Sequence, residues 1–547
     1  MAWITAEALP PYMRKELQTC SEEEREDRFD QDLKFGTGGL RGLLGAGSNR
    51  VNVVTVARAT RGLAAYLWQH SAAPRCAIAY DSRRGSREFS RITAAELAAA
   101  GVQAFLFEEL APTPMLSFAV RRLGCDGGVV LTASHNPAQY NGYKVYGPDG
   151  CQLTPEAAAQ VWAGIEQQPY FAPQQPDFAA LLAQGAIRWI GAETVDAYCA
   201  AVLAQSVEPL AAPLRVVYSP LNGTGNRPVR RVLTAIGAQV TVVPEQELPD
   251  GDFPTCPIPN PETAQAMQLA RHLGETAKAD LCLATDPDCD RVGAAAPDET
   301  GRMRLVSGNE MGVLLLDYLC RTRQAAGTMP RRPVAVKTIV TTPMAGAVAA
   351  AYGVELRNVL TGFKFIGEQI GQLEQAGEAE RFLFGLEESY GYLSGTYVRD
   401  KDAVNAAMLI CEMTAHYKAE HKTLWEALET LHQRFGYYED RQVSFTFTGR
   451  AGRAAMQAML DALRRDPPQT FAGRAVEHMT DYQQDGTGLP RSNVLQLDLA
   501  GGCRVLLRPS GTEPKLKAYV TAKGAGAVQS QAAADDLAQA VQKLCAE

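Results

Sequence analysis

At 547 residues the chain is too long for a single hydrophobic core, and three to four domains are expected. Its composition, 46% hydrophobic and 21% charged, is that of a globular protein, and a net charge of −8 without a Lys/Arg tract speaks against a nucleic-acid partner. No run of about 18 apolar residues predicts a membrane span or a membrane partner, Met1–Asp30 shows no signal-peptide pattern, and the 12 scattered cysteines form no CxxC pair. The expectation is therefore cytoplasmic localisation with reduced thiols; the sequence does not reveal the oligomeric state.

In chain order, Ser21–Arg28 is a charged segment that reads as a solvated helix face. Cys76–Tyr80 is an apolar strand-like run that leads into the polar loop Asp81–Ser86. A second run, Gly128–Leu131, ends in Thr132-Ala133-Ser134-His135-Asn136-Pro137, which holds a serine at the rigid end of a buried strand and then turns at Asn136-Pro137. The pattern recurs twice. Arg215–Tyr218 leads into Ser219–Gly225, and Leu281–Thr285 into Asp286-Pro287-Asp288-Cys289-Asp290-Arg291; Val334–Lys337 leads into Thr338–Pro343, and Phe382–Phe384 into Gly385–Gly391. This predicts three similar α/β domains with mixed or parallel sheets over residues 1–205, 206–325 and 326–440, each giving a strand-end loop to a central cleft. Residues 441–547 alternate differently. Gln442–Phe447 reads as a half-buried strand, and Val494–Leu499 with Arg504–Arg508 reads as a hairpin around Gly501-Gly502, which predicts a smaller α+β domain.

Three carboxylates at alternate positions, Asp286, Asp288 and Asp290, repel one another unless a cation sits among them. All-oxygen donors favour a hard ion such as Mg²⁺. An exposed serine with an Asp-rich metal loop points to phosphoryl chemistry on Ser134, and Arg291 is placed to fork onto phosphate oxygens. A phosphoserine of charge about −1.5 to −2 beside three carboxylates would need a divalent ion. The competing readings are an acidic surface turn for the triad and a helix N-cap for Ser134. The adjacent pair Glu387 and Glu388 raises glycoside hydrolysis, but neighbours on an extended segment point opposite ways. A phosphoserine hydrolase and a non-catalytic binding protein are the remaining classes.

The loops around Ser134, Asp286, Glu387 and Arg508, in that order, together with Phe35–Gly42, Thr361–Gly367 and Val398–Asp402, resemble the α-D-phosphohexomutase superfamily over nearly the whole chain. The Glu387-Glu388-Ser389 loop is most similar to its phosphoglucomutase branch; the histidine typical of the phosphomannomutase/phosphoglucomutase branch is replaced by Gly391. The resemblance implies interconversion of glucose 1-phosphate and glucose 6-phosphate through a phosphoserine enzyme, with glucose 1,6-bisphosphate as intermediate and activator. Phosphomannomutase and phosphopentomutase are the alternatives, all with a small phosphosugar as substrate. It implies Ser134, Lys144, His135 and Arg41 as the catalytic group, with Ser134, Asp286, Asp288 and Asp290 holding Mg²⁺. For the sugar phosphate it implies contacts from Arg291, Thr361, Gly362, Lys364, Glu387, Ser389, Arg399 and Lys401. Arg508, Ser510, Gly511, Thr512 and Lys515 would hold the phosphate that is not reacting, with Gly511 shaping an anion nest.

Overall fold

A computed structural model of the chain describes every residue except numbers 1, 37, 173–174, 448, 485, 511–514 and 547. Four sheets follow one another. The first runs, edge to edge, Gly39–Leu43, Tyr140–Tyr146, Gly127–Leu131, Arg75–Tyr80, Gln103–Phe107, Ile187–Ile190. The second runs Met303–Val306, Val292–Pro297, Leu281–Thr285, Arg215–Ser219, Gln239–Val242, and the third Gly391–Leu393, Phe382–Glu387, Val334–Thr338, Glu355–Val359.

The three share one topology. In each, one strand (Arg75–Tyr80, Arg215–Ser219 and Val334–Thr338 in turn) lies between two parallel neighbours, and the later of these turns back as an antiparallel hairpin. The hairpin connections carry Ser134, the Asp286–Asp290 loop and Ser389. The expected parallel pairing thus holds for the interior, while the edges that carry the chemistry are antiparallel. The physical reason is burial: strands such as Gly127–Leu131 and Leu281–Thr285 are buried throughout because helices cover both faces, and such strands are continuous apolar runs. The fourth sheet, from Tyr437–Thr446 to Thr470–Phe471, is antiparallel throughout, with Gly501 and Gly502 at positive φ turning Leu495–Leu499 into Cys503–Pro509.

One apolar core runs through all three α/β units. Its axis is the helix Ala403–Ala419, buried on nearly every face and capped by Asp402, whose Oδ1 accepts from the N–H groups of Val404 and Asn405 at 2.8 and 3.1 Å. The fourth domain has a core of its own and meets the third through a small cluster that includes Ile339, Leu360 and Leu506. The helix Gly308–Ala325 lies inside the predicted 206–325 segment, yet it packs on Phe382–Glu387 and Met344–Ala351 of the third unit. Its start is marked by a capping box between Ser307 and Glu310.

Gly308 makes the closest backbone approach near the site: a Cβ there would stand 2.0 Å from the Glu388 carbonyl oxygen. Gly346, inside the helix Met344–Ala351, has its nearest such neighbour at 3.7 Å. Gly308→Ala is expected to cost about 1–3 kcal/mol, whereas Gly346→Ala is expected to gain about 0.5–1 kcal/mol. Denaturant midpoints of the two variants check the contrast.

Candidate active site

The two distant motifs meet. Ser134 Oγ donates to Asp286 Oδ2 at 2.9 Å across 152 residues of sequence, and lies 3.1 Å from His135 Nδ1. Ser134 itself is in the left-handed region at φ 53°, with its N–H donated to Thr132 Oγ1 at 2.8 Å. For a residue other than glycine that conformation is uncommon and points to a local constraint.

Asp286, Asp288 and Asp290 are all buried, and each offers a carboxylate oxygen within 4.8 Å of the others. Asp286 Oδ1 accepts from the N–H groups of Asp290 and Arg291 at 3.1 and 3.0 Å, which folds the loop around itself. Asp288 Oδ1 and Asp290 Oδ1 are buried without a hydrogen-bond partner among the described residues. Two orphaned carboxylate oxygens beside a third carboxylate form a hard-oxygen donor set, so the residues fit a divalent cation. Burial, then Asp288 and Asp290, push Asp286 well above the usual carboxylate range. Asp288 is held below it: burial opposes its charge, but the ammonium groups of Lys144 and Lys401 outweigh that.

Cations reach the triad from two other units. The hairpin reversal at Ser134 sets Lys144 opposite Val130, and its Nζ lies 2.7 Å from Asp288 Oδ2 and 3.8 Å from Asp290 Oδ2. Lys401, just before the cap of the central helix, has Nζ 2.9 Å from Asp290 Oδ2 and 3.4 Å from Asp400 Oδ1. Burial works against its charge, but Asp290, Asp400 and Glu387 raise its pKa overall. Arg291 pairs with Glu262 at 2.5 Å. Arg41, opposite Gly142 in the edge strand, donates to Asn136 Oδ1 at 3.4 Å. Burial, then the nearby charges of Arg291 and Arg41, push the His135 pKa well below the usual imidazole range.

On the third unit, Glu387 Oε1 accepts from Ser389 Oγ at 2.8 Å. Burial raises its pKa, while Lys401 and Arg291 pull it back. The two glutamates do diverge: Glu388 Oε2 accepts from Thr338 and Thr341 Oγ1 at 3.1 and 3.3 Å, and burial and Glu387 push it up to about 7. At Gly391 a Cβ would meet Lys401 Cδ at 2.4 Å and Glu387 Cγ at 2.9 Å, so Lys401 fills the space a side chain there would take.

Thr361 and Gly362 precede the helix Phe363–Gln375, with Gly362 at φ 118° and Thr361 Oγ1 buried without a hydrogen-bond partner among the described residues. Lys364 follows, its pKa lowered by burial. Arg399 is not brought into the cleft. It is fully buried, with Nη2 2.6 Å from Glu374 and Nη1 on the carbonyls of Thr396 and Val398, where it joins the central helix's lead-in to a neighbouring helix. Arg508 lies opposite Lys517 on the fourth sheet and donates to Tyr519 OH at 3.4 Å, and the Ser510 N–H donates to the Lys515 carbonyl at 2.7 Å. Gly511 and Thr512 lie outside the described residues, as does Thr37 of the glycine-rich loop.

Three contributors are absent from the sequence reading. Thr113 donates its hydroxyl to Asp288 Oδ2 at 3.0 Å and its N–H to the Asp288 carbonyl at 2.9 Å. Lys517 has its pKa lowered by burial and then by the nearby charge of Arg508, with Glu388 opposing. Arg83 donates to the carbonyls of Ser134, Pro137 and Tyr140 at 2.6, 2.9 and 3.1 Å, and to that of Asn136. Only Arg83 had a local signal, its place in a polar strand-end loop.

Four domain families match in succession. They are phosphoglucomutase/phosphomannomutase alpha/beta/alpha domains I, II and III at residues 32–170, 196–301 and 307–435, and the C-terminal domain at 468–539. The chain is 36% identical over 509 residues to a phosphoglucomutase of Staphylococcus haemolyticus, and 37% identical over 513 residues to one of Staphylococcus aureus, covering 91% of both chains each time. A solved phosphoglucomutase/phosphomannomutase family protein from Burkholderia thailandensis has the same fold, with TM-score 0.69 at 18% identity, over 93% of this chain and 97% of that one.

Asp286 holds its proton more tightly in the folded protein than in the unfolded chain. Its contribution to stability is therefore present below the ordinary Asp pKa of about 3.9 and is lost as pH rises through the raised folded value. A divalent ion competes with that proton, so the rise in Tm on adding Mg²⁺ is expected to be larger at about pH 8 than at about pH 5.5. Thermal melts at both values check this; equal shifts would show that no proton on Asp286 competes with the ion in this range.

Proposed function

The chain belongs to the phosphoglucomutase/phosphomannomutase family, and from that membership we propose that it interconverts glucose 1-phosphate and glucose 6-phosphate, with Ser134 as the phosphoryl carrier. One observation carries the assignment: the Ser134 hydroxyl, 3% exposed, is hydrogen-bonded to a carboxylate of the buried Asp triad. Phosphorylated Ser134 with Asp286, Asp288 and Asp290 would hold Mg²⁺, which when bound supplies charge neutralisation at the phosphoryl oxygens.

The residues divide the remaining work. Ser134 Oγ gives its phosphoryl group to O1 or O6 of the sugar, forming glucose 1,6-bisphosphate, and receives the other phosphoryl group after the sugar has turned over. Lys144 Nζ is assigned to hold and return the hydroxyl proton. His135 and Arg41 orient the phosphoryl group and stabilise its charge, and Arg291 adds a donor beside the metal loop. Glu387 and Ser389 bind hydroxyls common to both orientations of the sugar; Lys401, Thr361, Gly362 and Lys364 flank it. Arg508, Ser510 and Lys515, with Lys517, supply donors for the distal phosphate. Arg399 supports the wall of the cleft from behind. Two findings favour glucose over mannose or a pentose: the relatives cited above are named phosphoglucomutases, and Lys401 occupies the slot at Gly391.

Intact-mass measurement is expected to show one phosphate on the parent protein and none on Ser134→Ala, whose turnover is lost while its fold is kept. Lys144→Ala is expected to lower kcat by about 10²–10⁴-fold, measured in a coupled assay with Mg²⁺ and catalytic glucose 1,6-bisphosphate. Compared across glucose, mannose and ribose 1-phosphates, kcat/KM is expected to be highest for glucose; a higher value for either of the others would reassign the substrate.

A further inference from the structure

The nucleophile loop has an unusual support. Between the strands Gly127–Leu131 and Tyr140–Tyr146 the chain runs through eight residues whose carbonyls have few strand partners. Arg83 takes three of them, those of Ser134, Asn136 and Pro137, together with the carbonyl of Tyr140 at the start of the next strand, with one guanidinium. That side chain is fully buried and is itself aimed by Asp81. Asp81 Oδ2 lies 3.3 Å from Arg83 Nε, and Asp81 Oδ1 accepts from the Arg83 N–H at 2.9 Å and from Ser86 Oγ at 2.7 Å. Asn141, at the far end of the loop, closes the circuit with bonds to Ser86 Oγ at 3.0 Å and the Arg84 carbonyl at 2.9 Å.

The other face of the guanidinium is covered by a different domain. The ring centroid of Phe253 lies 5.0 Å from Arg83 Cζ, and the neighbouring residues Arg84 and Asp252 form an ion pair. Phe253 is buried at φ 47°, a left-handed conformation that a bulky residue adopts only when its surroundings impose it. Its turn is tied back to the metal loop. The Asp250 N–H donates to the Asn222 carbonyl at 3.2 Å, and nearby Thr224 donates from its N–H and hydroxyl to the Pro287 carbonyl at 2.8 and 2.9 Å. A continuous set of contacts thus joins the Asp triad to Ser134 through protein alone.

We propose that Arg83 is a positioning residue for Ser134, and that the Asp250–Phe253 turn of the metal-loop domain holds Arg83 in place, so that the nucleophile is presented only while these two domains are docked. The left-handed Ser134 backbone is then set from behind by a fork of four hydrogen bonds, which no single-point ammonium reproduces. This rests on Ser134 being the phosphoryl carrier, and it deepens that reading.

The test compares kcat, KM, Tm and the rate at which glucose 1,6-bisphosphate phosphorylates Ser134, read by intact mass, in the parent, Arg83→Lys and Phe253→Leu proteins. Arg83→Lys keeps the charge and loses the fork. It is expected to lower kcat and the phosphorylation rate together by about 100-fold, with KM for glucose 1-phosphate unchanged. Phe253→Leu leaves every Arg83 hydrogen bond in place and removes the ring, and both rates are expected to fall about fivefold. If Arg83→Lys does not fold, the Phe253→Leu result decides. A role confined to stability would lower Tm and the folded fraction while leaving both rates per folded molecule at the parent value, and that result would overturn the inference. A parent protein that takes no phosphate on Ser134 overturns the underlying reading and this inference with it; a phosphorylated parent with unimpaired variants overturns the inference alone.

Discussion

Charge compensation at one buried point organises this molecule. Asp286, Asp288 and Asp290 converge out of water, where each uncompensated carboxylate costs several kcal/mol, about as much as a domain's net stability. The second unit, which supplies them, supplies few cations in return. Lys144 comes from the first unit and Lys401 from the third. The triad is therefore a reason for three separate sheets to meet, and the place where they meet is where the hairpin loops carrying Ser134 and Ser389 also end.

Packing follows the same division. The three α/β units share a continuous apolar core around the helix Ala403–Ala419, which holds the groups around the triad in place while the units are docked, as preorganised electrostatic catalysis requires. The fourth domain keeps its own core and touches the third through a small cluster. Its charges are felt in the cleft: Arg508 draws down the Glu388 pKa, and Glu388 acts on Lys517. Placing the distal-phosphate donors on the separately cored domain suits a cleft that must exclude water during transfer and still let a bisphosphate turn over.

The glutamate pair shows how neighbouring residues part. Glu387 turns to Ser389 and the cations of the cleft, while Glu388 turns to Thr338 and Thr341 at the end of the first strand of its unit. Alternation along an extended segment already required the divergence. What Glu388 would meet on the other side depended on a strand about fifty residues earlier, which no local rule supplies.

The strand-end loops, the three-fold recurrence of one α/β unit and the oxygen-donor character of Asp286, Asp288 and Asp290 were legible from the sequence, because apolar runs, turn residues and carboxylate spacing are local properties. That Ser134 and the Asp loop share one site was legible in their matching strand-end loops and in the family resemblance; the 2.9 Å contact across 152 residues is set by the fold. Arg399 and Thr113 mark the limit. One stood in a motif and proves to be a buried joint to Glu374; the other had no local signal and bonds Asp288 twice. The sequence alone thus determined which chemistry each loop can carry; the tertiary structure decided which side chains face one another across the cleft, because partners drawn from different domains are chosen by packing and by the need to neutralise buried charge.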